Sequence, residues 1–263
     1  MSSCPERRSS GARQGRVSTA SPARIAATAS RALPARGMLS RMCPGAPIHG
    51  LYGMVDTSAS SGRSHRTIAE ALLAAGVGVL QLRMKGAADS EVEARLRELL
   101  PLCRTAGARL ILNDRAELAA RFDGVGCHLG QEDGDPRVAR AVLGDERLLG
   151  WSTHNVQQVR AAEGLGVDYV GFGPVFSAAS KHLHPSDRRK PDEPVGLMAL
   201  RSAVQATNLP VVAIGGITEA LLPYVVAAGA RAAAMLSAVT AATDPREAAE
   251  RCHAAFRTSE TAP

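Results

Sequence analysis

The sequence lacks the marks of several protein classes. Its five cysteines, Cys4, Cys43, Cys103, Cys127 and Cys252, are scattered, odd in number and free of any C-x-x-C pair. Neither a zinc site nor a disulfide framework follows, and a reducing compartment, hence a cytoplasmic location, is the default expectation. No apolar run reads as a bilayer span. The most membrane-like stretch, Ala220 to Ala242, is interrupted by Pro223, Gly229 and Arg231, and divides into a helix followed by a short strand. Apolar residues make up 45% of the 263, enough to core one large domain or two small ones, so a collagen, a coiled coil or a fully disordered chain does not fit.

A nucleic-acid partner is the obvious reading of a net charge of +6, and the charge distribution removes it. Residues 1–45 hold eight arginines, no lysine and a single acid, Glu6. The rest of the chain holds 23 basic and 24 acidic side chains, so the body is close to neutral. The basic segment has no apolar core of a secretory signal and no apolar periodicity. Its Arg- and Ser-rich composition suits an organelle transit peptide, and equally a disordered extension or translation from an upstream start, with Met38 or Met42 as the true one. The expected organisation is a disordered basic extension over 1–45 and one catalytic domain over 46–263.

From His49 onward a unit recurs about every 27 residues: a short apolar run, a polar or Gly-rich turn, then a helical stretch. The runs are Leu51–Val55, Val79–Arg83, Arg109–Asn113, Val125–Leu129, Leu148–Trp151, Tyr169–Gly173, Val211–Ile214 and Ala232–Leu236. Between them, helices are expected over stretches such as Glu91–Cys103 and Val156–Leu165. Eight βα units in about 215 residues match the count and size of a single (β/α)8 TIM barrel, an α/β fold; a doubly wound open sheet is the alternative.

The polar residues share one address, the C-terminal ends of these strands, where such barrels place their active sites. Asp56 follows the first run, Gln81, Arg83 and Lys85 end the second, and Asn113 and Asp114 end the third. Asp133 follows the fourth, Ser152 and His154 the fifth, and Lys181 the sixth. Gly215 and Gly216 follow the seventh, Leu236 closes the eighth and Ser237 follows it. Two carboxylates on neighbouring strand ends, Asp114 and Asp133, suit Mg²⁺, which keeps waters and binds through one or two carboxylates plus substrate phosphates. Their plainer roles are a helix N-cap for Asp114, ahead of a helix at Arg115, and a turn or cap before Pro136 for Asp133. Arg83, Lys85 and Lys181 have the charge and reach to hold phosphate oxygens. The Gly pair and the Leu236-Ser237 backbone suit a second phosphate. His128, inside a strand, reads as a packed, hydrogen-bonded core histidine. The long basic segment Ser177–Pro194 is a lid or a solvated insertion.

In order along the chain, the blocks Gln81-Leu82-Arg83-Met84-Lys85, Leu112-Asn113-Asp114-Arg115, His128-Leu129-Gly130-Gln131-Glu132-Asp133, Gly150-Trp151-Ser152, Asp168-Tyr169-Val170-Gly171-Phe172-Gly173-Pro174 with Lys181, and Ile214-Gly215-Gly216 resemble the thiamine-phosphate synthase family. That resemblance implies a Mg²⁺-dependent transferase. It joins a hydroxymethylpyrimidine diphosphate to a thiazole phosphate and releases pyrophosphate. Asp114 and Asp133 would hold the metal. Arg83, Lys85, Lys181 and Ser152 would be catalytic, and the first three would grip the diphosphate. Gln81, Asn113 and Ser152 would position the first substrate. Ser180, Gly215, Gly216, Leu236 and Ser237 would receive the second. Partners would be these small phosphorylated substrates, with a homo-oligomer left open. Two departures stand out: the family's acid between Arg and Lys is Met84, and its Pro-Thr-Pro-Thr-Lys loop reads Ser177-Ala178-Ala179-Ser180-Lys181. A thiazole tautomerase-like isomerase and a non-catalytic barrel that binds a phosphorylated ligand are the competing readings; retained Asn113, Asp114 and Asp133 speak against the isomerase.

Overall fold

The structure, a computed structural model, describes residues 48–56, 61–177 and 193–257. The extension 1–45 therefore lies outside the described residues, as do Ser180, Lys181 and most of the long basic segment. Eight strands alternate with helices: β1 (Gly50–Asp56), α1 (His65–Ala74), β2 (Val79–Arg83), α2 (Asp89–Thr105), β3 (Arg109–Asn113), α3 (Ala116–Ala120), β4 (Gly126–Leu129), α4 (Pro136–Leu143), β5 (Leu149–Thr153), α5 (Val156–Ala162), β6 (Tyr169–Phe172), α6 (Gly196–Gln205), β7 (Val211–Ile214), α7 (Leu222–Ala227), β8 (Ala232–Met235), α8 (Ser237–Thr240) and α9 (Pro245–Arg257). Each strand pairs in parallel with the next, and β8 pairs back onto β1. The sheet is closed, which settles the barrel against the open alternative.

Side chains alternate across a strand, and this period sorts the chain into two cores. Leu51, Leu80, Leu82, Leu110, Leu112 and Leu149 face outward into the layer beneath the helices. Tyr52, Met54, Val79, Ile111, Tyr169 and Val212 face inward and fill the barrel with the small Ala232 and Ala234. The register sets Ala234 beside Tyr52, so small and large side chains share one layer. Helix starts follow local chemistry. Ser64 accepts from the Thr67 N–H at 3.1 Å to open α1, and Asn155 from the Gln158 N–H at 2.9 Å to open α5.

At the end of the barrel away from the expected site, Arg140 on α4 is a four-point clamp. It donates to the Gly166 and Gly144 carbonyls at 2.8 Å, to the Arg147 carbonyl at 2.7 Å and to Asp168 at 2.5 Å, with its side chain only 11% exposed. Asp168 also accepts from the Leu149 N–H at 2.7 Å, so the clamp fixes the entries to β5 and β6. Arg140→Ala should lower stability by about 3–5 kcal/mol, because a charge and several carbonyls lose their partner together. Urea denaturation reads this directly; an unchanged midpoint would show the clamp to be ornamental.

Strand limits departed from expectation where pairing overrode composition. Asp56, a polar residue placed after the first run, belongs to β1 because it pairs with Arg83. Ser152 and Thr153 belong to β5 through pairing with Gly171 and Phe172. The expected helix at 156–165 is α5 followed by a 3-10 turn, Glu163–Leu165.

Candidate active site

At the C-terminal mouth of the barrel lies a cavity of about 210 Å³. Its wall includes Gln81, Arg83, Lys85, Asn113, Asp114, Asp133 and Ser152, which come from β2, β3, β4, β5 and the loops after them. Parallel closure turns four sequence-distant strand ends toward one space, so these side chains converge.

Arg83 and Asp133 are each fixed by a neighbour. Arg83 donates to Asp56 at 2.5 Å, and the Asp56 side chain is 1% exposed. A buried carboxylate thus holds the guanidinium at the cavity edge. Asp133 folds back to accept from the Gly130 N–H at 2.6 Å. Asp114 sits in the left-handed backbone region at φ 70°, and its N–H donates to the His128 carbonyl at 2.8 Å. That conformation is uncommon outside glycine, though Asp tolerates it better than most. It corrects the capping expectation: the helix begins at Ala116, and its N-cap is Arg115, with no side-chain cap bond. The cap before Pro136 is Asp135, not Asp133.

Asp114 and Asp133 both line this cavity. Burial of Asp114, together with the neighbouring Asp133 carboxyl and its charge, holds the Asp114 carboxyl well above the usual carboxylate range; Lys85 and Arg83 pull it down in part. Among the described residues there is no group of three or more His, Cys, Asp or Glu side chains disposed to hold a metal. The donor set therefore suits a hard ion that takes its remaining oxygens from water and phosphate, as Mg²⁺ does.

The cavity floor is a second cluster. His128 lies between Tyr169, whose hydroxyl is 3.1 Å from Nδ1, and Ser152, whose Oγ is 2.9 Å from Nε2. The expectation of a hydrogen-bonded histidine was right, but His128 lines the cavity instead of the packed core. Gly150 makes the room: a Cβ there would lie 2.1 Å from Tyr169 Cζ and 2.4 Å from His128 Nδ1. Burial pushes the His128 pKa down to about 4. The unfolded chain takes up this proton near 6.5, so the folded state's advantage is complete above that pH. It is lost progressively as the pH falls from 6.5 toward 4. His128→Gln should flatten the dependence of Tm on pH across that window, and a slope equal to the wild type's would show that His128 does not carry it.

At the cavity's edge a second recess is lined by Met84, Lys85, Gly86, Asn113, Asp114 and Arg115. Arg115 ties its rim together, donating to the Ala87 carbonyl at 2.7 Å and to Asp89 at 2.8 Å.

A family model described as thiamine monophosphate synthase matches residues 51–239. The chain belongs to that family. A thiamine-phosphate synthase of Chloroflexus aurantiacus is 40% identical over 206 residues, covering 78% of this chain and 91% of its own length. One from Methylobacillus flagellatus is 39% identical over 211 residues, covering 80% and 96%. Among solved structures, a thiamine phosphate pyrophosphorylase from Pyrococcus furiosus matches with a TM-score of 0.70 at 28% identity, over 80% of this chain and 96% of that one.

Against the thiamine monophosphate synthase pattern, the departure at Met84 is absorbed locally: its side chain is half-buried and packs against the outer core. Gly215 and Gly216 follow β7 directly after Ile214, and Leu236 and Ser237 follow β8 two residues past Ala234; Ile214 and Ala234 line the cavity. The Gly pair is required by packing alone, since a Cβ on Gly216 would lie 2.5 Å from the Phe176 carbonyl oxygen and φ is 61° there. His154 lies above the floor, its Nδ1 2.7 Å from the Gly173 carbonyl, and does not line the cavity. Sequence reading missed Tyr52 and Tyr169 as cavity residues. The signal was available: each carries a hydroxyl at an inward position of an otherwise apolar run, in phase with Gln81 and Ser152.

Proposed function

We propose that the protein joins hydroxymethylpyrimidine diphosphate to thiazole phosphate, giving thiamine phosphate and pyrophosphate. The observation that carries this reading is the convergence of two carboxylates, an arginine and a lysine on one cavity of a chain in this family. Asp114 and Asp133 would hold Mg²⁺, which when bound supplies positive charge that eases departure of pyrophosphate. Arg83, pinned by Asp56, and Lys85 grip diphosphate oxygens, with Lys181 as a third cation. Gln81, Asn113 and Ser152 orient the pyrimidine end. Gly215, Gly216, Leu236 and Ser237, with Ser180, receive the thiazole phosphate. An electron-rich pyrimidinyl methyl carbon that loses its diphosphate is captured by the thiazole nitrogen, so no protein nucleophile is needed. The walls' task is to hold both partners and keep water from that carbon.

Residues 1–45 are read as an extension the barrel does not need. A cytoplasmic location fits the buried free thiols of Cys103, Cys127 and Cys252; no described helix is long and apolar enough to cross a membrane. The test is incubation of purified protein with both phosphorylated precursors and Mg²⁺, followed by assay of pyrophosphate and thiamine phosphate. Equal amounts of the two products are expected, from the full chain and from one starting at Met42 alike. Absence of pyrophosphate with both precursors present would overturn the reading.

A further inference from the structure

Five side chains from five strands form one unbranched line of hydrogen bonds across the barrel floor. Gln81 Nε2 donates to the Tyr52 hydroxyl at 3.0 Å, and the Tyr52 and Tyr169 hydroxyls are 2.7 Å apart. The Tyr169 hydroxyl is 3.1 Å from His128 Nδ1, and His128 Nε2 is 2.9 Å from Ser152 Oγ. Both phenols are buried, as is Gln81. Only the two ends, Gln81 and Ser152, have groups left over for the cavity they line.

Such a line has few proton arrangements. Each phenol has one O–H to give, and a neutral imidazole has one N–H and one bare nitrogen. If a bond reverses, one phenol oxygen accepts twice and its own buried O–H is left without a partner in the line, or an imidazole nitrogen and its neighbour both bring or both lack a hydrogen. All bonds therefore point the same way, and one end sets the rest. Gln81 sets it here, because an amide NH₂ can only donate. The Tyr52 proton then goes to Tyr169, and the Tyr169 proton to His128 Nδ1. The ring carries its hydrogen on Nε2 and gives it to Ser152. The Ser152 O–H is released toward the cavity, and Gln81 keeps its carbonyl oxygen as an acceptor at the far end.

We propose that this line is a proton-ordered wire that fixes Ser152 as a hydrogen-bond donor and Gln81 as an acceptor toward substrate, with Tyr52, Tyr169 and His128 as positioning residues. The inference rests on the assignment of Ser152 and Gln81 as substrate-binding groups in the proposed reaction. It deepens that assignment by giving each a polarity. A substrate with an amino N–H at one place and a bare ring nitrogen or phosphoryl oxygen at another meets this pair without reorienting any hydroxyl. Donors aligned before binding cost no reorganisation when charge develops.

The test reads the wire directly. Ring ¹⁵N spectra of ligand-free protein labelled at histidine, at neutral pH, report which nitrogen of His128 carries hydrogen; the His128 signal is the one missing from His128→Gln. The expected result is the Nε2–H tautomer in the wild type. Tyr52→Phe, two bonds away, should shift it toward a mixture while leaving the Tyr169 contact in place. An Nδ1–H tautomer, in which Ser152 gives its hydrogen to Nε2 and faces substrate as an acceptor, overturns the proposal, as does a doubly protonated ring. Kinetics give a second measure. Tyr169→Phe should lower kcat about tenfold with Ser152 present, and have no further effect in Ser152→Ala. Equal losses in both backgrounds overturn the wire. If Tyr169→Phe does not fold, the wild-type tautomer alone decides. A wild type that makes no pyrophosphate but shows the Nε2–H tautomer would sink the proposed reaction and leave the wire standing.

Discussion

Asp133→Ala is expected to lower turnover by at least about a hundredfold, and to do so without unfolding the barrel. Asp133 is exposed and its structural bond is a single one, to the Gly130 N–H in a turn that water can reach. Its loss should therefore leave Tm close to that of the wild type. What it removes is half of the carboxylate pair. Calorimetric titration of the wild type with Mg²⁺ should show proton release, because burial and the neighbouring Asp133 hold the Asp114 carboxyl above the usual carboxylate range and a bound cation favours its ionised form. Affinity should accordingly fall as the pH is lowered. Chelator should abolish wild-type turnover and Mg²⁺ should restore it. Undiminished turnover in chelator would remove the metal from the proposal and favour a metal-free isomerase.

Asp56→Asn should act on both stability and the diphosphate substrate. The Asp56–Arg83 pair spans β1 and β2 at 2.5 Å, with the acid 1% and the arginine 20% exposed. Breaking a pair at that depth costs about 3–5 kcal/mol, since the remaining charge keeps its desolvation penalty without the compensating attraction. The same change frees Arg83 to leave the cavity edge, so the KM for the pyrimidine diphosphate should rise at least about tenfold, while the KM for thiazole phosphate moves little. Denaturation midpoints and initial rates with each substrate varied in turn measure these effects. If both KM values rise equally, Asp56 serves only the fold.

Much of the barrel was legible because its cause is local. Short apolar runs separated by helical stretches and polar turns register in sequence at the scale of a single βα unit, and Val79–Arg83, Arg109–Asn113 and Val211–Ile214 matched the observed strands residue for residue. Errors fell at the ends, at Asp56, Ser152 and Thr153, where a neighbouring strand supplies the hydrogen bonds that polar composition argues against. The rim was legible for a related reason: in a parallel barrel, polar residues after apolar runs all face one end.

The sequence by itself determined the family, the eight-unit repeat and the identity of the charged residues at the mouth, since these depend on residue type and order along the chain. Only the tertiary structure decided what those residues touch. Residue order cannot show that Asp56 clamps Arg83, that Asp114 takes a left-handed backbone conformation, or that Asp135 takes the cap expected of Asp133. Nor could it show that Tyr52, Tyr169, His128, Ser152 and Gln81, spread over 117 positions from Tyr52 to Tyr169, join into one line. Closing the sheet is what brings strands one, two, four, five and six around a common axis. Inside that closed space, distances between side chains are set by strand register and by the missing Cβ of Gly150, quantities that no local pattern encodes.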